Sequence, residues 1–259
     1  MNNSLDINPL TETEKITSFS KTVLREQGFK NVVIGLSGGI DSITCLSLLE
    51  KSLSAPNIFV AYLYYFESQI GSLLPFLKKA NIPQKNNYSI SIKNLVDQVK
   101  KTIKLTENSK NYELRLGNIM ARVRMIILYD LAKKHSAIVS GTENKSEFYL
   151  GYFTRFGDEA SDFEPIRHLY KTQVCQLAKY LDVPKKIVDL CPTAGLWPGQ
   201  TDEKDFGFSY KEADIVLDLY FDQKKPISEI ISKGFPNAKK IIEWVCKNSF
   251  KRHLPYVVK

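Results

Sequence analysis

Three observations predict an α/β fold: a doubly wound parallel sheet flanked by helices, with a helical C-terminal part. Strand and helix signals alternate as far as Ser140, a glycine-rich turn marks one strand–helix junction, and helical patterning dominates after Lys171. Sheets of this kind bind ligands beyond the carboxyl ends of their strands. The residues just past each strand are therefore the candidates for function.

The apolar run Val32–Leu36 is the first strand, and the helix after it runs from Ile40 to Leu53. Asn57–Tyr65 is apolar and aromatic and reads as a second strand. A helix from Gln69 to Ala80 stops before Asn81-Ile82-Pro83. Tyr88–Ile92 alternates as a third strand, and a helix spans Asn94–Ile103. The polar stretch Thr106–Tyr112 is a loop. A long helix from Asn118 to Lys134 carries Met120, Val123, Ile127 and Leu131 along one face. Ala137–Ser140 is a fourth, short strand. Beyond Lys171 the helices are interrupted by an irregular segment, Cys191–Tyr210, whose Gly195–Gly207 portion reads as a mobile lid. With no internal repeat or linker, residues 1–259 are expected to form a single domain.

Composition narrows the function classes. Hydrophobic content of 43% and charged content of 25% are ordinary for a globular protein. The first residues lack the basic and apolar blocks of a signal peptide, and no run approaches a membrane span, so a cytoplasmic setting is expected. Cys45, Cys175, Cys191 and Cys246 form no Cys-x-x-Cys pair, and His135, His168 and His253 lack metal-ligand spacing. The net charge of +8 invites a nucleic-acid reading. The lysine pairs, however, are scattered and fall mostly at predicted helix ends, where a cation is favourable and solvated. No nucleic-acid or membrane partner is expected.

Ser37-Gly38-Gly39-Ile40-Asp41-Ser42 carries the chemistry. Two glycines permit a sharp turn and close approach of a ligand, and amide N–H groups converge at a helix N-terminus. Ser37 and Ser42 add hydroxyls, and Asp41 suits a divalent cation beside phosphate oxygens. The spacing is neither that of a Walker A loop nor that of a dinucleotide fold. It resembles the pyrophosphate loop of the ATP pyrophosphatases, whose adenine nucleotide alpha hydrolase-like sheet it implies.

Three further segments lie in register with that loop. They are Gly117–Met125, Gly141–Glu147 continuing through Gly151–Asp158 to Asp162, and Pro192–Glu203. Together the four closely resemble the ammonia-dependent NAD synthetases, from about Val32 to Pro255. The resemblance implies that deamido-NAD is adenylated by ATP with loss of pyrophosphate, and that ammonia then displaces AMP to give NAD. It implies that Gly35, Leu36, Ser37, Gly38, Gly39, Ile40, Asp41 and Ser42, with Thr142, Lys171 and Thr193, hold ATP. Asp41 and Glu147 would hold Mg2+. Arg122, Arg155, Asp162, Phe250 and Lys251 would hold the dinucleotide, and Asp158 would take a proton from ammonium. A homodimer is implied, with the helix bearing Arg122 at its interface. The chain carries no added glutaminase domain, so free ammonia is the expected nitrogen donor.

The chain departs from the family pattern at three positions. Phe250 stands where histidine is usual, Arg155 where lysine is usual, and Glu159 where glycine is common. Two other classes could use the same loop: a tRNA-modifying enzyme, which generally needs paired cysteines or an RNA domain, and a nucleotide sensor without turnover.

Overall fold

The computed structural model describes residues 5–68, 70–190, 192–193, 195–197, 199–253 and 256–258. Gln69, Cys191, Ala194, Pro198 and Pro255, which fall within segments discussed above, lie outside the described residues.

A helix, α1 (Pro9–Glu26), precedes the first strand. Its buried stripe is Thr13, Ile16, Ser20 and Leu24, so only half of it is apolar and the periodic signal is weak. The two hydroxyls are satisfied inside the helix, Thr13 donating to Pro9 C=O at 2.7 Å and Ser20 to Ile16 C=O at 2.9 Å.

Four strands follow: β1 (Asn31–Gly35), β2 (Ile58–Tyr64), β3 (Asn87–Ser91) and β4 (Ala137–Ser140). All pair in parallel, in the spatial order β3-β2-β1-β4. The expected α/β sheet is therefore present. Between them run α2 (Ile40–Ser52), α3 (Ile70–Lys79), α4 (Lys93–Thr102) and α5 (Tyr112–Lys134). The last begins six residues before the Asn118 expected from sequence, because Gly117, a poor helix former, lies within it.

Alternate strand residues face opposite layers. Val32, Ile34, Ile58 and Val60 pack with α1, α2 and α3, whereas Val33, Phe59, Ala61 and Val139 pack with α4 and α5 through Val96, Met120 and Leu131. Helices thus cover both faces, as a buried parallel sheet requires. Winding proceeds from β1 to β3 in one direction and then returns to place β4 on the other side of β1. The crevice between the β1 and β4 loops is the topological switch point.

The remaining helices are α6 (Lys145–Leu150), α7 (Lys171–Tyr180), α8 (Lys185–Val188), α9 (Asp202–Phe206), α10 (Tyr210–Leu217), α11 (Ile227–Ser232) and α12 (Ala238–Asn248). α7 joins the sheet's first layer through Val174 and Leu177. Leu150, Phe206, Ala213, Val216, Ile230, Ile241 and Val245 form a separate core that joins α6 to the C-terminal helices. The expectation of an irregular Cys191–Tyr210 segment is corrected here by α9, which buries Asp202 and Phe206. Its signals are short but present: three acids in the first turn and Gly207 in the left-handed conformation at its end.

Candidate active site

The turn after β1 is tight and held by its own hydroxyls. Gly38 has φ of +90°, and a Cβ there would lie 3.2 Å from Leu73 Cδ2, so both backbone and packing call for glycine. Gly39 N–H donates to Ser37 Oγ at 3.2 Å, the Ser42 hydroxyl donates to Gly39 C=O at 3.0 Å, and the two hydroxyls lie 3.1 Å apart. Helix α2 begins with no side-chain cap. Its first-turn N–H groups therefore face the switch point together with the positive end of the helix.

Across the crevice, Asn144 organises the start of α6. Its side chain accepts Glu147 N–H at 3.0 Å, and the Glu147 carboxylate accepts Asn144 N–H at 3.4 Å, a reciprocal capping box. The same Asn144 amide donates to Asp41 Oδ1 at 3.0 Å, which ties the β4 loop to the β1 loop. Lys171, the first residue of α7, reaches between them. Its Nζ lies 2.5 Å from Asp41 Oδ2 and 3.1 Å from Glu147 Oε1. The lysine side chain is 5% exposed, and the Tyr210 ring covers it at 5.4 Å.

Electrostatics follow from this packing. Burial opposes the charge on Lys171, but Asp41 and Glu147 outweigh it and hold the ammonium well above its usual range. Burial pushes the Glu147 carboxyl up, Lys171 pulls it back, and Asp41 raises it again. Two carboxyl groups thus share one ammonium, and Glu147 holds its proton more tightly than a free carboxyl would. Both acids offer hard oxygen donors at the edge of the glycine turn.

The opposite wall is assembled from distant segments. Arg122, exposed on α5, donates to Arg155 C=O at 3.2 Å. Arg155 in turn donates to His253 C=O at 2.7 Å. Lys251 Nζ holds Gly151 C=O and Phe153 C=O at 2.8 and 2.9 Å, and its neighbour Phe250 is 48% exposed. Asp158 accepts Thr154 N–H at 2.8 Å. The residue is exposed, but its carboxyl is enclosed by protein. Desolvation raises its proton affinity against the Thr154 N–H, its own N–H, Arg124 and Lys251. Asp162 is exposed, and its Oδ2 accepts Val139 N–H at 2.6 Å. Thr142 is half-buried just past β4, and the exposed Thr193 hydroxyl accepts Gly195 N–H at 3.0 Å.

Of the residues expected from sequence, the structure brings Asp41, Glu147 and Lys171 into direct contact. It links Arg122, Arg155 and Lys251 through the segment that follows α6. Gly151, which closes α6, joins the two sets, because its carbonyl accepts Lys251 while Glu147 lies within the helix. The sequence reading passed over Asn144 and Tyr210. The Asn144-x-x-Glu147 spacing is a recognisable capping signal, but nothing local marks Tyr210 as the cover of Lys171. Arg124 was also missed as a structural anchor; its Nε donates to Leu63 C=O near the carboxyl end of β2, at 2.9 Å.

The lid segment is docked. Leu196 lies 2.8 Å from the point a Gly117 Cβ would occupy, so the glycine in α5 provides its seat. Gln200 accepts Leu196 N–H at 2.8 Å and donates to Tyr152 Oη at 3.2 Å and Asp205 Oδ2 at 3.1 Å, and Tyr152 also donates to Asp205 at 2.6 Å.

The NAD synthase family profile matches residues 12–255. An NH3-dependent NAD+ synthetase from Fusobacterium nucleatum is 36% identical over 259 residues, covering 99% of this chain and 98% of its own. Among solved structures, an NMN synthetase from Francisella tularensis matches with TM-score 0.81 and 34% identity, over 98% of this chain and 99% of that one. The NH3-dependent NAD synthetase of Campylobacter jejuni, in complex with nitrate ion, matches with TM-score 0.79 and 30% identity, over 98% and 100%. The glycine turn at the switch point, the paired carboxyls around Lys171 and these end-to-end matches converge, and the chain belongs to the NAD synthase family.

Proposed function

We propose that this chain, acting as one unit, uses ATP to convert the carboxylate of deamido-NAD into its amide, with free ammonia as nitrogen donor. The observation that carries the reading is Lys171, buried between Asp41 and Glu147 and beside the uncapped start of α2.

A carboxylate is a poor electrophile, so the first step joins it to AMP. The nicotinate oxygen attacks the α-phosphorus, and the bond to the β-phosphate oxygen breaks. The amides from Gly35 to Ser42 receive the departing pyrophosphate, and Lys171 stabilises the charge that builds on it. Asp41 and Glu147 place two hard oxygen donors side by side near the uncapped start of α2 and would hold Mg2+ there. When bound, the ion supplies charge neutralisation on the phosphates. Thr142 and Thr193 complete the ATP contacts. Arg122, Arg155, Asp162, Phe250 and Lys251 line the nicotinate nucleotide.

In the second step ammonia attacks the acyl carbon, and AMP leaves with the electron pair of the acyl–oxygen bond. Asp158 takes the proton that ammonium must lose, and its raised proton affinity suits that task. The docked Leu196 segment keeps water from the adenylate.

A homodimer is supported by exposed apolar side chains on adjacent helices, Leu95, Val99 and Ile103 on and just after α4 and Leu114 and Ile126 on α5. No helix among the described residues is long and apolar enough to cross a membrane, which accords with a cytoplasmic enzyme.

Incubation with ATP, Mg2+, deamido-NAD and ammonium is expected to yield NAD, AMP and pyrophosphate in equal amounts, with glutamine unable to replace ammonium. ADP and orthophosphate as products would overturn the reading.

A second reading is that the mononucleotide acid is the preferred substrate. It is favoured by the likeness to an NMN synthetase and by Phe250 on the substrate wall in place of the family's histidine. The ratio of kcat/KM for the two acids decides. Phe250→His is expected to shift it toward the dinucleotide about threefold, as one recovered hydrogen bond would.

A further inference from the structure

Helix α7 presents Lys171 to the phosphates, yet its own preceding residue does not cap it. The Tyr170 hydroxyl donates instead to Asp222 at 2.9 Å. The first two N–H groups of α7 are received by other helices. Lys171 N–H donates to Ser146 Oγ of α6 at 2.8 Å, and Thr172 N–H donates to Asp214 Oδ2 of α10 at 2.8 Å. The Ser146 hydroxyl then donates to Asp214 Oδ1 at 2.5 Å. Asp214 and Ser146 are both fully buried.

We propose that Asp214 is a positioning residue for the adenylation step, capping α7 from a separate helix and so fixing Lys171 between Asp41 and Glu147. The inference rests on the reaction proposed above. A helix start without its cap frays within the first turn, and Lys171 is that turn's first residue. Both Asp214 oxygens accept, Oδ1 from the Ser146 hydroxyl and Oδ2 from Thr172 N–H. Burial raises the carboxyl to about 6, and the bonds from Ser146 and Thr172 restrain the rise.

Asp214 further ties Lys171 to the lid. Helix α10 starts at Tyr210, whose ring covers the lysine and whose hydroxyl donates to Asp202 of α9 at 3.0 Å. The C-terminal helices thus complete a site whose phosphate contacts come from the sheet.

The test compares wild type, Asp214→Ala, Asp214→Asn and Ser146→Ala, each first shown to be folded by thermal melting. Asparagine still accepts Thr172 N–H and can donate to Ser146 Oγ, so it retains the cap. Asp214→Ala is expected to lower kcat for pyrophosphate release about 100-fold, the scale of a displaced catalytic group. KM for the nicotinate nucleotide should stay within about threefold, because its wall does not rest on α7. Asp214→Asn should recover to within about fivefold of wild type, and Ser146→Ala should fall between.

An Asp214→Ala enzyme within threefold of wild type overturns the proposal, and so does an asparagine variant as impaired as alanine. A wild-type protein that releases no pyrophosphate sinks the proposed reaction instead. In that case a crystal structure of Asp214→Ala decides the cap. Lys171 Nζ still 2.5 Å from Asp41 and 3.1 Å from Glu147 refutes it, and a displaced ammonium upholds it.

Discussion

At the ends of β1 and β4, Lys171 meets Asp41 and Glu147 within 3.1 Å, and none of the three side chains is more than 19% exposed. On the far side of α6, Arg122 and Arg155 instead bind backbone carbonyls of neighbouring segments, and Phe250 and Asp158 face solvent. In the proposed reaction the first region would receive the phosphates of ATP. It is buried, and its charges face one another with few alternatives. The second would receive the rest of the substrate; apart from Arg122 on α5 it hangs on loops and a C-terminal turn, where a residue can change without disturbing the sheet. The three departures from the family pattern, Arg155, Glu159 and Phe250, all fall in the second region. On the proposed reaction, chemistry would be held by the rigid side of the site, and choice of substrate by the adaptable one.

Four measurements test that division. The largest effect is expected from Lys171→Met, which removes the buried cation. Pyrophosphate release should fall about 10³-fold while nicotinate-nucleotide affinity changes little. A fall in that affinity as large as the loss of rate would mean the two regions are one.

Asp158→Asn should separate the steps. The rate of amide formation from ammonium should fall about 100-fold, while ATP-dependent adenylate formation persists, read as pyrophosphate released without NAD.

Gly117→Ala should act through the lid. The added methyl would come within 2.8 Å of Leu196. A roughly tenfold rise in KM, with hydrolysis of the adenylate by water, is expected. Leu196→Ala in the same chain should restore closure in part, because it removes the contacts at 2.8 and 3.2 Å and leaves only the Cβ at 3.0 Å.

The smallest effect concerns stability and pH. Burial lifts Glu164 to about 7 and Asp214 to about 6 and also raises Glu143, all close to the phosphate side. A carboxyl whose folded value exceeds its unfolded value binds more protons when folded, so its contribution falls as pH rises through that interval. The melting temperature should therefore increase by a few degrees between pH 8 and pH 6. Glu164→Gln should flatten the profile. An unchanged slope would place the strain elsewhere.

The sheet and its phosphate turn were readable because their signals are local. The strands are short apolar runs, and Ser37–Ser42 combines glycines, hydroxyls and a carboxylate within one turn. Helix α1 was not readable, because Thr13 and Ser20 occupy half of its buried stripe. Helix α9 was not, because five residues between glycines look like a loop. The substrate wall was named only through resemblance, since Arg122, Arg155 and Lys251 share no periodicity.

From its residues alone, the chain was committed to an α/β sheet with a phosphate-binding turn, because hydrophobic alternation and glycine placement act over a few residues. Folding in three dimensions settled which side chains meet. Asn144 bridging to Asp41, Tyr210 over Lys171, and Asp214 closing the start of α7 join groups up to about a hundred positions apart. Such contacts depend on how helices pack against the sheet and against each other, and no local pattern encodes that packing.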